Sequence, residues 1–281
     1  MIDLHTHSNF SDGTDTPTEL LNKAFAAGLS TIALTDHDTV AGWDEAVDHL
    51  RPGLELVLGS EISCQTQNGI SVHMLGLLFD WGNQPLLEMM AQTRDNRIGR
   101  MAEIIARLNT AGYEISMQDV ESQLSEGATL GRPHLADALI AKGYLNSRES
   151  VFKELLHNES PFYVAHHSPT PEEAIGLIKG AGGVSVIAHP MSSLRGRVVT
   201  ATDFESYVTA GLNGIEIFHR DHTLENRALL KAIANDFNLA QTGSSDYHGN
   251  GKLNQLGEFH TDPAEFEKLE SAANERRTIK R

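Results

Sequence analysis

The first residues of the chain have the types and spacing that could bind a metal ion. His5 and His7 are separated by one residue after a short apolar lead, and Asp12-Gly13 follows as a turn sequence. In an extended segment, residues two apart point to the same side, so both imidazoles can face one point. Imidazole and carboxylate groups both bind divalent cations. A bare His-x-His is a weak motif, and two surface histidines are the alternative for this stretch alone.

Short apolar segments alternate with amphipathic ones along much of the chain, a pattern typical of parallel β/α units. After the first segment we predict strands at 31–34, 54–58, 71–78, 184–188, 214–218 and 239–243. Between Trp81 and about His167 the pattern instead predicts helices, at 85–111, 133–142 and 147–156. We therefore expect a β/α domain formed by 1–80 and 168–281, interrupted by a mainly helical insertion at 81–167.

Ionisable residues recur where the predicted strands end. Those at the carboxyl ends are His5, His7, His37, Glu61, His189, His219, Asp246 and His248. His73 lies within or near the end of the fourth strand. In a β/α barrel these ends meet on one face, where active sites are built. A buried cluster of such groups would carry a large desolvation cost without a metal ion, so the pattern predicts a metal site.

The chain resembles the polymerase and histidinol phosphatase (PHP) family of metal-dependent phosphoesterases. The matching pieces are His5-Thr6-His7, Ser11-Asp12-Gly13, Thr35-Asp36-His37-Asp38, Gly59-Ser60-Glu61-Ile62-Ser63, His73, Ala188-His189-Pro190 and Ser245-Asp246-Tyr247-His248. They span almost the whole chain apart from the insertion. The resemblance implies a distorted, TIM-like barrel of seven β/α units and a hydrolase that acts on phosphoric ester bonds.

The same resemblance implies two or three divalent metal ions and a set of catalytic ligands. The first ion would be held by His5, His7, Glu61 and Asp246. Glu61 would bridge to a second ion held by His73 and His189, and the third would be held by Asp12, His37 and His248. Some family members have histidine in place of Asp12. A carboxylate there favours Mn²⁺, with Fe²⁺ or Zn²⁺ as alternatives.

Two such ions about 3.5–4 Å apart can share a water and lower its pKa, and the resulting metal-bridging hydroxide would attack phosphorus in line. Asp36 and Asp38 flank His37 and are predicted to accept hydrogen bonds from neighbouring imidazoles. For Asp38, a helix N-cap before Val40 is an equally good interpretation.

The insertion contains a candidate phosphate-binding sequence, Gly131-Arg132-Pro133-His134, at a predicted helix start. Backbone N–H groups at a helix start favour an anion, and arginine can bind phosphate through two hydrogen bonds. Insertions with this sequence resemble a subgroup of the family that acts on nucleoside 3′,5′-bisphosphates and on RNA 5′ ends. We predict substrate contacts from Arg132, His134 and Ser11, and an exposed helix start is the alternative.

The favoured function is hydrolysis of the 3′-phosphate of a nucleoside 3′,5′-bisphosphate, giving a 5′-nucleotide and phosphate. The alternatives are a 5′–3′ exoribonuclease acting on short 5′-phosphorylated RNA, a sugar-phosphate or histidinol-phosphate phosphatase, and a non-catalytic metal-binding module. The formal net charge of −16 argues against a broad basic surface for long nucleic acid. No obligate protein partner is evident.

The bulk composition bounds the class of protein. Of the 281 residues, 40% are hydrophobic, as in a globular protein. The apolar runs are shorter than the ~20 residues of a membrane span, and no export signal is visible. Cys64 is the only cysteine, which excludes an intrachain disulfide and favours a reducing compartment. We expect a cytoplasmic protein.

Several residues have no assigned role. They are Arg94, Arg97, Arg100, Lys153, His166, His167, Arg195, Arg197 and His219. The three arginines that begin at Arg94 recur at every third position, which is typical of a solvated helix face or of pairing with acids such as Glu103, with a substrate role as the alternative. Tyr163 or Phe162 could stack on a base, although burial in the core is the commoner outcome.

Overall fold

The computed structural model of the protein describes residues 1–124, 128–157, 159–164, 168–192, 197–274 and 277–281. Its centre is one sheet of seven strands that lie in sequence order. The strands are β1 (Ile2–Asp3), β2 (Thr31–Leu34), β3 (Glu55–Gln65), β4 (Ser71–Leu77), β5 (Val184–Ala188), β6 (Gly214–Phe218) and β7 (Ala240–Gly243). A parallel bridge between Thr6 and Tyr247 joins the segments that follow β1 and β7, so the sheet curls into a nearly closed barrel.

The fourth strand runs against its two neighbours. β4 pairs antiparallel with β3 and β5, whereas the other neighbouring strands pair parallel. The expectation of parallel units is therefore wrong at β4, because the chain returns through a short turn after Gln65 instead of a crossover helix. His73, near the start of β4, pairs with Ala188 at the end of β5. The reversal thus brings His73 to the barrel end where the parallel strands finish.

The third strand is longer than predicted. β3 continues past Leu58 to Gln65, so Glu61 lies inside the strand, opposite Leu75 of β4. The polar sequence after Leu58 is typical of a strand end. Here, however, the hairpin partner β4 pairs with residues 59–65 and supplies their ladder hydrogen bonds.

Helices surround the barrel and form the insertion. They are α1 (Pro17–Ala26), α2 (Trp43–Asp48), α3 (Gln84–Thr110), α4 (Met117–Glu121), α5 (Arg132–Ala141), α6 (Arg148–Glu154), α7 (Pro171–Gly180), α8 (Asp203–Ala210), α9 (Leu224–Asp236) and α10 (Pro263–Ala272). α1 and α7 begin with the same signal, a capping threonine followed by proline and a glutamate that returns a hydrogen bond to the cap. The short α4 and the terminal α10 are not predicted from the sequence.

Alternating strand residues form two apolar layers. Ala33 and Val57 belong to the cluster inside the barrel, which Phe266 and Leu269 of α10 also join. Strand residues on the other face, such as Ile32, pack against the surrounding helices. The backbone of Asn274, just after α10, donates to Gly182 O at 2.8 Å, directly before β5. α10 therefore lies at the amino ends of the parallel strands and leaves the carboxyl ends open for a site.

The long helix α3 links the barrel and the insertion. Leu86 and Met90 in its first half belong to the barrel's outer cluster. Met101 and Leu108 in its second half belong to a separate cluster built from α3 to α6 and the loops between them. Among the helices of the described residues, none has the length and apolar content needed to cross a membrane.

Candidate metal centre

Two imidazoles meet just after β1. Thr6 lies between them and donates its hydroxyl to Ala33 O at 2.6 Å, so its side chain is directed toward β2. His5 and His7 therefore point the other way, and their Nε2 atoms are 3.1 Å apart. Both residues are fully buried. The alternation predicted from the sequence is confirmed here.

Two carboxylates complete the first cluster. Glu61 Oε2 lies 3.2 Å from His5 Nε2 and 3.1 Å from His7 Nε2. Asp246 Oδ1 lies 3.4 Å from each of the same two nitrogens. One ligand atom from each of these four residues falls within 4.8 Å of the others, the spacing of a set that can hold one cation.

The second oxygen of Glu61 faces two further histidines. Glu61 Oε1 is 2.6 Å from His73 Nδ1 and 3.0 Å from His189 Nε2. The carboxylate therefore stands between two groups of imidazoles. This arrangement is possible because β4 lies between β3 and β5. His73 of β4 pairs with Ser63 of β3 on one side and with Ala188, next to His189, on the other.

A tight turn brings Asp12 back over the strand end. The Gly13 N–H donates to Ser8 O at 3.0 Å, and a Cβ placed on Gly13 would lie only 2.6 Å from His7 O. The turn thus requires glycine because the backbone passes too close for a side chain.

The Asp12 carboxylate belongs to a third cluster. Asp12 Oδ1 is 3.1 Å from His248 Nε2, and Asp12 Oδ2 is 3.9 Å from His37 Nε2. Together with His7, these residues place four ligand atoms within 4.8 Å of one another.

Several buried polar atoms in these clusters have no hydrogen-bond partner of suitable geometry among the described residues. They include Asp12 Oδ1, His37 Nδ1, Glu61 Oε2 and His248 Nε2. Buried polar groups are nearly always paired, so these atoms call for a partner that the protein itself does not provide. All are ligand types that divalent ions accept, and the residues therefore fit two or three metal ions.

Burial and mutual charge set the protonation of the clusters. Burial raises the pKa of the Glu61 carboxyl, but the imidazoles of His37, His73 and His5 outweigh this effect and hold the pKa well below its usual range. Burial lowers the pKa of His37 well below its usual range and lowers that of His248 to about 4. Glu61 is thus ionised at pH 7 and His37 and His248 are neutral, which are the forms that bind a metal ion.

His7 differs from these two histidines. Burial lowers its pKa, but the neighbouring carboxylates of Asp246 and Glu61 outweigh burial and raise the pKa to about 9. A cation bound there would therefore displace a proton.

Backbone strain is concentrated around the same point. Among the described residues, five that are not glycine have a left-handed backbone, and three of these border the clusters. They are Asp38 (φ 52°), His189 (φ 29°) and Asp246 (φ 51°). Such conformations are costly for residues with a side chain and collect at functional sites.

Asp36 supports the clusters through hydroxyl groups. Its carboxylate accepts from Ser8 Oγ and Ser11 Oγ, each at 2.6 Å, and Ser11 Oγ is 3.3 Å from His7 Nδ1. The prediction that Asp36 accepts directly from an imidazole is wrong, because Ser11 stands between the two groups.

Asp38 neither accepts a hydrogen bond from an imidazole nor caps a helix, the two roles predicted for it. Its carboxylate accepts from the backbone N–H of Ser63 at 2.8 Å and from Arg97 at 2.6 Å. Gly42, and not Asp38, precedes the first turn of α2. The positive φ of Asp38 turns its side chain toward β3 and the insertion, away from the helix start.

Glu216 is a site residue that the sequence analysis misses. It is fully buried in β6, with Oε1 3.0 Å from His5 Nδ1 and Oε2 accepting from the His189 N–H at 2.7 Å. The available signal is a lone carboxylate between Ile215 and Ile217 in a short apolar strand. A charged residue at a predicted core position indicates either a buried partner or a site.

Asp246 also has partners outside the first cluster. Lys252 Nζ donates to Asp246 Oδ2 at 2.7 Å, and His219 Nε2 lies 3.5 Å from the same oxygen. His219 is thus buried beside the clusters, as its position after β6 predicts, whereas Lys252 carries no signal in the sequence.

The helix start at Arg132 lies next to the turn that carries Asp12. Thr129 N–H donates to Phe10 O at 2.9 Å, which attaches the segment before α5 to residues 8–13. The guanidinium of Arg132 donates to Leu156 O at 2.7 Å and stacks 5.7 Å from the centre of the Phe152 ring.

The other two predicted substrate contacts are largely buried. His134 Nδ1 accepts from Gly131 N–H at 3.1 Å, and burial lowers the pKa of His134 while the nearby backbone of Ser11 opposes that shift. Ser11 donates to Asp36. Both residues therefore join the start of α5 to the metal-centre turn.

The row of arginines on α3 is not a solvated face. Arg94 donates to the backbone carbonyl of Asp38 and Arg97 to its carboxylate. Arg100 donates to Val164 O at 2.7 Å. These contacts tie α3 to the barrel and to the end of the insertion.

Other candidates are accounted for within the insertion or at the surface. Glu103 pairs with Arg107, Phe162 packs in the insertion cluster, and Tyr163 lies under the Arg100 guanidinium. Arg197 donates to Asn68 O at 2.6 Å. His166, His167 and Arg195 lie outside the described residues.

A barrel with imidazole and carboxylate clusters at the carboxyl ends of its strands defines a metal-dependent hydrolase. The chain belongs to the PHP domain family, whose sequence pattern matches residues 3–172. It is a metal-dependent phosphoesterase, a hydrolase of phosphoric ester bonds, on a distorted TIM-like barrel.

Three curated relatives cover most of the chain. A 3′,5′-nucleoside bisphosphate phosphatase from Chromobacterium violaceum is 32% identical over 89% of this chain and 88% of its own length. A 5′-3′ exoribonuclease from Haemophilus influenzae is 35% identical over 88% of this chain and 89% of its own. A phosphoribosyl 1,2-cyclic phosphate 1,2-diphosphodiesterase from Eggerthella lenta is 34% identical over 91% of this chain and 97% of its own. Identity at this level does not separate the three activities.

The fold has a similar solved counterpart. The crystal structure of a Bifidobacterium adolescentis protein, described as a metal-dependent phosphoesterase, matches with a TM-score of 0.91 and 38% sequence identity. The match covers 97% of this chain and 96% of that protein.

Proposed function

We propose that the protein removes the 3′-phosphate of nucleoside 3′,5′-bisphosphates, giving a 5′-nucleotide and phosphate. The observation that carries the proposal is the 2.9 Å hydrogen bond from Thr129 to Phe10, which attaches the helix start at Arg132 to the turn that carries Asp12. A helix start with an arginine favours an anion, and here it adjoins a metal centre. A substrate with two phosphates suits this pair of sites. The relative from C. violaceum supports the same substrate class.

The proposed metal ligands follow the three clusters. His5, His7, Glu61 and Asp246 would hold the first ion, and Asp12, His37 and His248 the third. Glu61, His73 and His189 would hold the second, since both histidines lie within 3.0 Å of Glu61 Oε1. The division of the two Glu61 oxygens between different imidazoles supports a bridging role for this carboxylate. Because oxygen ligands accompany the imidazoles in every set, we propose Mn²⁺, with Fe²⁺ or Zn²⁺ as alternatives.

The roles of the side chains follow from their contacts. Bound divalent ions would supply a nucleophile at neutral pH and compensate charge on the phosphoryl oxygens. Asp36 would keep His7 in place through Ser11. The guanidinium of Arg132 would bind the 5′-phosphate, with Phe152 and Leu156 O fixing its orientation. His134 would keep the start of α5 close to the metal centre through its contact with Ser11.

Cleavage of nucleotides from the 5′ end of short RNA is a second candidate function. The relative from H. influenzae favours it, since it is 35% identical over a similar span. The net charge of −16 opposes binding of a long polyanion but not of a short one whose end reaches the metal centre. We therefore place the bisphosphate first.

The test is hydrolysis of a panel of substrates by the Mn²⁺-loaded protein, followed as phosphate release from the monoesters, as nucleotide release from the RNA, and by chromatography of the products of the cyclic ester. We would compare adenosine 3′,5′-bisphosphate with AMP, histidinol phosphate, a phosphoribosyl cyclic phosphate and a 5′-phosphorylated RNA oligomer. The proposal expects the highest kcat/KM on the bisphosphate, with AMP as the product. Faster cleavage of the RNA or of the cyclic ester would replace the proposed substrate, and no hydrolysis of any compound by metal-loaded protein would reject this substrate panel altogether.

A further inference from the structure

Glu216 is a buried carboxylate that contacts two proposed ligands of two different metal ions. Its Oε1 lies 3.0 Å from His5 Nδ1, and its Oε2 accepts from the backbone N–H of His189 at 2.7 Å. The residue is fully buried at the centre of β6. Such an isolated carboxylate needs strong partners to offset its desolvation, and these two contacts provide them.

We propose that Glu216 is a positioning residue that orients His5 and His189 for metal binding. The inference rests on the metal ligands proposed above. It adds one residue to the site and gives that residue a defined effect on both the first and the second ion. One ligand atom from each of His5, His189 and Glu216 lies within 4.8 Å of the others, so the experiment must also distinguish a positioning role from direct metal binding by Glu216.

The contact with His5 determines which ring nitrogen can bind metal. Because Nδ1–H donates to Glu216, the nitrogen left for a cation is Nε2. That atom lies 3.1 Å from His7 Nε2 and 3.2 Å from Glu61 Oε2, within the first cluster. A carboxylate on the far nitrogen also makes the imidazole a stronger ligand.

The contact with His189 acts on the backbone. His189 has a φ of 29°, a conformation that costs a residue with a side chain about 1–2 kcal/mol. The hydrogen bond from its N–H to Glu216 Oε2 holds this conformation, in which Nε2 lies 3.0 Å from Glu61 Oε1. The Glu216 carboxylate therefore orients the imidazole of His5, after β1, and the backbone of His189, after β5.

The two contacts require two acceptors, which makes Glu216→Gln a sharp test. A glutamine has the same shape but offers one acceptor oxygen and one NH₂ donor. If the amide oxygen faces His189 N–H, the NH₂ group faces His5 Nδ1. That nitrogen must then act as the acceptor, so the His5 proton moves to Nε2, the atom at which a metal would bind. In the other orientation two donors meet at His189. Either way one ligand is disturbed without a change in side-chain volume.

The experiment measures metal binding rather than turnover. Mn²⁺ affinity would be measured by competition with a chelator, and Mn²⁺ per chain by elemental analysis at saturation, for the wild type and Glu216→Gln. We expect a 10- to 100-fold rise in Kd, about the effect of removing an outer partner of a metal ligand, with the same number of ions at saturation. Glu270→Gln is the matched control, because Glu270 accepts two hydrogen bonds from Thr278. It should leave Kd unchanged.

Three results would overturn the inference. An unchanged Kd in Glu216→Gln would remove the positioning role, and loss of a whole ion at saturation would make Glu216 a ligand instead. Wild-type protein that binds no divalent ion would reject the proposed metal centre itself, which separates that failure from a failure of Glu216. If Glu216→Gln does not fold, Glu216→Asp gives the same test, because it keeps both acceptors but withdraws them by one methylene group.

Discussion

Arg97 donates to the carboxylate of Asp38 at 2.6 Å, and this ion pair joins the helical insertion to the loop that carries His37. Asp38 is fully buried, and the Arg97 side chain is 15% exposed. Arg97 also donates to Ser63 Oγ, two residues beyond Glu61. The insertion is thus held by a charge pair that lies against the metal centre.

Separating this pair should weaken both the fold and substrate binding. Removal of one partner from a buried ion pair costs about 3–5 kcal/mol, because the other charge is left buried alone. We expect Arg97→Gln and Asp38→Asn each to lower the free energy of unfolding by about 3 kcal/mol and to raise KM. The double variant should lose less free energy of unfolding than the sum of the two single losses, as measured by denaturant titration.

Lys268→Gln is the control. It breaks an exposed pair with Glu265 and should lower the free energy of unfolding by less than about 1 kcal/mol. Strictly additive losses would mean that the two residues act independently.

Arg132→Ala should affect recognition of the 5′-phosphate and not metal loading. Hydrogen bonds to a charged group contribute about 1.5–3 kcal/mol, which corresponds to a rise in KM of roughly 10- to 100-fold for a bisphosphate. Adenosine 3′-monophosphate lacks the 5′-phosphate and should show little change in KM. Steady-state kinetics with both substrates checks the difference. Loss of Mn²⁺ from the variant would instead assign Arg132 to support of the metal centre.

His189→Ala and Asp246→Ala should remove both metal and activity. Each residue is a proposed ligand, so its loss should lower kcat/KM by more than about a hundredfold, beyond the effect of an outer partner. Elemental analysis and phosphate release are the paired measurements. His260→Ala, at an exposed position outside the clusters, is the control. Intact activity in either ligand variant would show that the site assignment is wrong.

Gly13→Ala should disturb the third cluster. A methyl group at Gly13 would lie 2.6 Å from His7 O, so the turn must open and withdraw Asp12. We expect one ion fewer at saturation, together with a lower unfolding midpoint. Gly99→Ala on α3, where an added Cβ meets nothing within 4 Å, should instead be neutral or stabilise the protein by about 0.5–1 kcal/mol. Equal behaviour of the two variants would argue against a constrained turn.

The Cys64 thiol should be unreactive in the folded protein. The side chain is 2% exposed within β3, and burial raises the pKa of the thiol well above its usual value. Since the thiolate is the reactive form, we expect no labelling by a thiol reagent at pH 8 until denaturant is added. Rapid labelling of native protein would show that the β3–β4 hairpin opens.

The carboxyl ends of the parallel strands are where sequence-based prediction works best. His5, His37, His189 and Asp246 follow short apolar strands, and the barrel brings such positions together whatever their separation in sequence. β4 is different. Its reversal has a local signal, the turn sequence Asn68-Gly69, which is typical of a hairpin, whereas the extension of β3 has none. The register of the hairpin is decided by pairing, which residue patterns alone do not specify.

Residues that act through a partner are the ones that the sequence does not reveal. Glu216 sits in an ordinary apolar strand, and Arg97 repeats like a solvated residue on a long helix. Each becomes interpretable only when its partner, His5 or Asp38, is seen across more than fifty positions of sequence. Patterns of single residues indicate which side chains can bind a metal, but they contain no information on which side chains contact each other in the fold.

The bridge between Thr6 and Tyr247 has a consequence for biosynthesis. At about 5–20 residues per second, roughly ten to fifty seconds separate the appearance of His5 and His248 on the ribosome. During that interval the early imidazoles have neither Asp246 nor His248 beside them. The proposed ligand sets are therefore incomplete during that interval, and we expect metal loading only after translation of the barrel is finished.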